Sequence, residues 1–224
     1  MTSALRSCLV TLAAGLFLPL PCQADAPGSW AVLAPGPWTQ ADCGASQCDD
    51  PSTLHWLALA RTAQGWALAP VRPAWNQERD ELASSVANTL ALLHDASLRP
   101  GPVATPAPAR NQAALRFTTA SDALRIAFQG RDWDIAVTGG NTVVRAGKRH
   151  TVIGRADPGP AGQVNDPYTT RIVWAGDLDR DGLLDFLVEE ENGGTDQQLC
   201  LYLSARPHAA SELLAKVGCE VWGG

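Results

Sequence analysis

Charge, aromatic residues and long apolar runs are all in short supply in this chain. Of its 224 residues, 18% are charged and 6% aromatic. The 17 basic residues, most of them arginine, are outnumbered by 23 acids, for a formal net charge of −6. That balance excludes the usual nucleic-acid binder, which meets phosphates with a basic face. Beyond the N-terminus no apolar run approaches the ~20 residues of a membrane-spanning helix, which excludes a polytopic membrane protein. There is no G-x-S-x-G elbow, no H-E-x-x-H, no phosphate-binding glycine loop and no C-x-x-C, so the common local signatures of hydrolysis, zinc and nucleotide binding are missing. What is present is 46% hydrophobic residues, too many for a disordered chain. The length suits one sizeable core rather than two.

The N-terminus predicts export. Met1 to Arg6 carries one positive charge, Cys8 to Leu20 is an uncharged apolar run of 13 residues, and small residues follow at Ala24 and Ala26. The run is too short to span a bilayer and reads as a signal peptide over 1–24, cut after Ala24 or Ala26. The alternatives are an N-terminal anchor, a buried helix or lipidation at Cys22. The remainder, 25–224, is expected to be a single periplasmic or secreted domain and a monomer. Its four cysteines suit two disulfides, with three possible connectivities. The local pairings Cys43–Cys48 and Cys200–Cys219 are favoured.

Alternation and turn residues predict a mainly β (α+β) fold, an antiparallel sheet or sandwich. A hairpin is expected from Leu54–Ala60 and Gly65–Val71 around a four-residue loop, and a short strand over Trp30–Leu33. Further strands are expected over 114–118, 124–128, 133–137, 142–145 and 150–153, each bounded by turn residues. One long packed helix is predicted over Glu78–Asp95, where Leu82, Val86, Leu90 and Leu93 fall at helical spacing. A short C-terminal helix is predicted near Ala209–Lys216. Residues 98–109 hold four prolines and read as a long surface connection.

The stretch that carries chemistry is Asp177-Leu-Asp179-Arg-Asp181-Gly182-Leu183-Leu-Asp185, which spells D-x-D-x-D-G-x-x-D. Calcium is a hard cation that takes six to eight oxygens. Alternate carboxylates at Asp177, Asp179 and Asp181 can face inward as the chain wraps round an ion. Gly182 permits a sharp turn, the Leu183 carbonyl is the next ligand, and Asp185 acts directly or through water. Four acids in nine residues repel one another without a cation. An EF-hand would place a bidentate glutamate at the twelfth position, which here is Val188. The flanks, 169–174 and 184–188, are strand-like. The expectation is therefore a strand–loop–strand site over 177–188, with a dissociation constant on the order of 10⁻⁴–10⁻³ M.

The run GDLDRDGLLDFLV resembles the loop of FG-GAP or VCBS-type repeats at Asp177, Asp179, Asp181, Gly182 and Asp185. Arg180 stands where glycine or asparagine is frequent. In that family the loop binds calcium between strands of β-propeller blades and recurs in several copies. A single copy here implies calcium as the cofactor but not a complete β-propeller. A longer set of segments, 174–179, 201–204 and 217–219, is similar to small exported bacterial proteins.

The other candidates read as structural. Glu189, Glu190 and Glu191 form a solvated strand end rather than a second ligand set. His55, His94 at the end of the expected helix, His150 and His208 have no catalytic partner in sequence. Asp132 and Asp134 read as turn residues, and the eight tryptophans as core rather than a carbohydrate platform. The expected function is an exported non-catalytic protein with a structural calcium loop, a binding or adhesion module for a protein or glycan partner. The alternative is an exported hydrolase whose site is assembled from distant residues, with catalytic residues invisible as a motif.

Overall fold

Short apolar runs, cut by glycine, asparagine and proline, fold entirely into strands. A computed structural model describes residues 31–37, 54–76, 81–107, 115–157, 167–192, 196–204 and 209–222. The expected signal peptide, Cys43, Cys48 and His208 lie outside the described residues. The first sheet combines β1 (Val32–Leu33), β3 (Trp56–Thr62), β4 (Gly65–Val71), β7 (Thr89–Leu93) and β8 (Gly101–Val103), in the order β1-β7-β3-β4-β8. A small sheet, β2-β6-β5, combines β2 (Gly36–Pro37), β5 (Ala74–Asn76) and β6 (Glu81–Ala83). The second large sheet is a meander of β10 (Ala123–Phe128), β11 (Arg131–Thr138), β12 (Asn141–Ala146) and β13 (Arg149–Arg155). The third is β17-β16-β15-β14-β9, from β9 (Arg116–Phe117), β14 (Thr169–Gly176), β15 (Asp185–Asn192), β16 (Asp196–Leu203) and β17 (Ala215–Trp222). Every strand pairing is antiparallel.

The third sheet is the middle layer. Side chains of successive strand residues point to opposite faces, and here both faces are covered. On β15 and β16, Phe186, Val188, Cys200 and Tyr202 pack with Trp133, Ile135, Val144 and Ile153 of the second sheet. From the same strands Leu187, Leu199, Leu201 and Leu203 pack with Leu59, Leu68, Ala91 and Leu93 of the first. Double-sided burial explains why the stretches 186–188 and 199–203 within these strands are uninterruptedly apolar instead of alternating. A register shift between Ile172 and Trp174 turns those two residues, which would otherwise share a face, toward opposite layers. The outer face of the first sheet is covered in turn, with Leu33, Trp56, Ala58 and Leu92 packing with Leu82 of the small sheet.

The fold is all-β, and no helix occurs among the described residues, which corrects the mixed fold with two helices. In the segment expected to form the long helix, residues 81–83 and 89–93 are strands. Ala91, Leu92 and Leu93 are fully buried, with Leu92 on one face of the sheet and its neighbours on the other. That is a period of two, which no helix provides. The link between the strands is non-helical for a local reason. Asn88 is left-handed (φ 55°), and Ser84 Oγ accepts from the Val86 amide and contacts Thr89 Oγ1 at 2.9 Å. Such side chains compete with helical hydrogen bonding. The expected C-terminal helix is instead a single turn, in which the Glu212 amide donates to the Ala209 carbonyl at 3.0 Å, followed by a short lead into β17. It is held against β13 by Thr151, whose Oγ1 accepts from the Leu213 and Leu214 amides at 3.0 and 2.9 Å.

The hairpin of β3 and β4 turns over two residues, 63–64, with Thr62 opposite Gly65. The proline-rich segment is partly a strand: β8 pairs with β4, and Ala104 bridges Asp177. Cys200 and Cys219 face each other across β16 and β17 and form a disulfide. No helix of the described residues is long and apolar enough to cross a membrane. The disulfide is consistent with a non-cytoplasmic protein.

Candidate metal centre

The chain leaves β14 at Gly176 and re-enters the sheet at Asp185 as β15, and the acidic motif is the turn between them. Two backbone features make this turn. Gly182 has φ +85° and Arg180 φ 67°, left-handed values that glycine adopts freely and other residues seldom. Gly176 is needed for a different reason. A Cβ there would come within 2.5 Å of the Trp174 ring and 2.7 Å of the Ala104 carbonyl oxygen. Its absence lets Ala104 accept the Asp177 amide at 2.9 Å.

Asp177, Asp179 and Asp185 converge, each offering a carboxylate oxygen within 4.8 Å of the others, an arrangement that can hold a metal ion. Asp177 is 5% exposed and Asp185 fully buried. Asp177 Oδ2 accepts the Gly182 amide at 3.1 Å and lies 3.5 Å from Gln129 Nε2. Asp185 Oδ2 accepts the Leu178 amide at 2.6 Å, and its Oδ1 the Ser204 amide at 2.8 Å. Asp181 is exposed and stands outside the triad. Its Oδ1 accepts the Leu183 amide at 2.8 Å, and both its oxygens contact Ser204 Oγ at 3.0–3.1 Å. Leu183 packs its side chain against the core.

Two observations show that the site is deficient in positive charge and in protons. Asp177 Oδ1 and Asp179 Oδ2 are buried without a hydrogen-bond partner, which is costly for a carboxylate. Ser204 Oγ lies within 3.1 Å of three carboxylate oxygens, two of Asp181 and one of Asp185, yet a hydroxyl has one proton to give. The same deficit shows in the acidities. Burial raises the Asp177 pKa. Burial, then the neighbouring Asp181 charge, pushes Asp179 to about 6. Burial, then the Asp179 charge, pushes Asp185 to about 8 against the opposing Ser204 and Leu178 amides. A cation among these oxygens fits the donor set: hard, anionic and oxygen-only.

No family model, no curated protein and no solved structure matches the chain.

Three residues that sequence reasoning did not reach complete the surroundings. Ser204 follows β16, Gln129 lies in the β10–β11 turn, and Ala104 follows β8. All are distant in sequence, and nothing local marks them. Arg180 joins them by donating to the Arg99 and Pro100 carbonyls at 3.3 and 2.7 Å. The loop therefore touches segments leading from both outer sheets.

The remaining candidates fall away from the site. Glu189 pairs with Arg171, Glu191 with Arg116, and Glu190 with Lys216 at 3.4 Å. Asp132 and Asp134 belong to β11, not to a turn, and Asp134 pairs with Arg125 at 2.7 Å. Trp56, Trp133 and Trp174 are buried, and Trp66 meets Trp174 edge-on. His94 follows β7 rather than a helix, and its Nδ1 lies 2.8 Å from the His55 carbonyl oxygen. His150 belongs to β13.

Proposed function

We propose that this is an exported, non-catalytic β protein whose 177–185 loop binds a structural calcium ion and thereby clamps three sheets together. The observation that carries the reading is the pair of buried, unpartnered carboxylate oxygens on Asp177 and Asp179, converging with Asp185. Calcium is preferred to magnesium because the oxygens come from an irregular, carboxylate-rich turn, and calcium tolerates irregular geometry where magnesium demands an octahedron. Export is supported by the N-terminal apolar run and by the disulfide. The tryptophans with described side chains are largely spent on the core, which favours a protein over a glycan as any partner.

Melting the purified protein in EDTA and in millimolar Ca2+ or Mg2+ tests this. At about 100 times the dissociation constant, linkage gives about 2.7 kcal/mol, or about 5–10 °C for a domain of this size. The shift is expected with calcium, weaker with magnesium and absent in Asp179→Ala. Equal melting points in EDTA and calcium would overturn the reading.

A further inference from the structure

Gln129 is distant from the acidic loop in sequence and lies against it in space. With Gly130 it forms the two-residue turn between β10 and β11, where Phe128 pairs with Arg131. Both turn residues have positive φ, 47° and 77°. Such turns favour Asn-Gly, because a short side chain tolerates the left-handed conformation. Glutamine has no such advantage, and a non-glycine residue held there marks a place where function and backbone preference conflict. What glutamine adds is reach. Its Nε2 lies 3.5 Å from Asp177 Oδ2, and its Oε1 lies 3.2 Å from the position a Cβ would take on Gly182. Both ends of the amide are at the rim of the carboxylate cluster, and a half-turn about the last torsion exchanges them.

We propose that Gln129 is a ligand of the cation, turning its Oε1 to the ion from outside the loop. This rests on the reading of the loop as a cation site. Calcium takes six to eight oxygens and accepts side-chain amide carbonyls among them. The loop brings three carboxylates together, while Asp181 is engaged by Ser204 and Leu183. An amide oxygen adds a ligand without adding another negative charge to a cluster that already repels itself. Without the ion, the amide presents its N–H to Asp177. With the ion, the carbonyl end replaces it. Occupancy of the loop is thereby transmitted to the β10–β11 hairpin in the neighbouring sheet.

The test counts ligands directly. Europium(III) serves as the probe for calcium, since its luminescence lifetimes in H2O and D2O report the number of inner-sphere waters. Gln129→Ala should gain about one coordinated water, because a lost protein oxygen is replaced from solvent. It should also weaken calcium binding about tenfold by calorimetry. Gln129→Glu, which restores an oxygen at that reach, should return the water count to the native value. If Gln129→Ala has the native water count and affinity while Asp179→Ala loses the ion, the loop site stands and the assignment of Gln129 falls. If the native protein binds neither europium nor calcium, the loop reading itself falls.

Discussion

At Asp185 two backbone amides and the Ser204 hydroxyl surround a fully buried carboxyl group. Its pKa of about 8, and the value of about 6 at Asp179, are raised above those of the unfolded chain. The folded, metal-free protein therefore binds more protons than the unfolded one between about pH 4 and pH 8. Its stability should be greatest near the low end of that window and fall as pH rises through it. In EDTA the melting point is expected to drop between pH 5 and pH 8. In saturating calcium the stabilisation conferred by the ion should instead grow over the same range, because the ion displaces those protons. An EDTA melting point that rose steadily with pH would show that the buried carboxyls carry no such strain. The motif itself was legible from sequence because its aspartates lie within nine residues of one another. Ser204 and Gln129 were not, because they reach the loop only through the pairing of β15 with β16 and the packing of the second sheet.

Strands buried on both faces make an experimental claim. In an ordinary half-exposed strand, one of two adjacent residues faces solvent, and its truncation costs little. On β15, Phe186 and Leu187 are both fully buried and pack into different layers. Phe186→Ala is expected to cost about 3–5 kcal/mol and Leu187→Ala about 2–5 kcal/mol in urea unfolding. If one of them lies within about 0.5 kcal/mol of the native protein, the middle position of this sheet is wrong. The disulfide acts at the same scale. It joins the edge strand β17 to β16 across a sequence separation of 19, and the chain-entropy account assigns such a loop about 3 kcal/mol. Reduction should lower the melting point by about 6–12 °C, and Cys200→Ala with Cys219→Ala should reproduce the loss. Leu82, Val86, Leu90 and Leu93 share helical spacing by coincidence of two strands and a turn. The decisive signs were local: Ser84 and Asn88 between the runs, and the unbroken Leu90-Ala-Leu-Leu93.

At the scale of the molecule, the acidic loop lies where three sheets meet. Asp177 and Asp185 flank it on the middle sheet, Ala104 and Arg99 approach along the segment around β8, and Gln129 approaches from the β10–β11 hairpin. An ion held there should protect all three together. Calcium is expected to slow hydrogen exchange at β8, at the β10–β11 turn and at residues 177–185, while the β12–β13 turn remains unchanged. Protection confined to 177–185 would show that the loop binds its ion without clamping the layers. The sequence by itself determined the turn chemistry, most strand positions and the acidic motif, because each depends on residues a few positions apart. The tertiary structure alone decided that the two strands within 81–93 join different sheets, that the proline-rich stretch joins a sheet, and that Asp181 leaves the cluster while Ser204 and Gln129 approach it. Those outcomes depend on which apolar faces find partners across the fold, and helical or strand spacing is read along the chain before those partners are known.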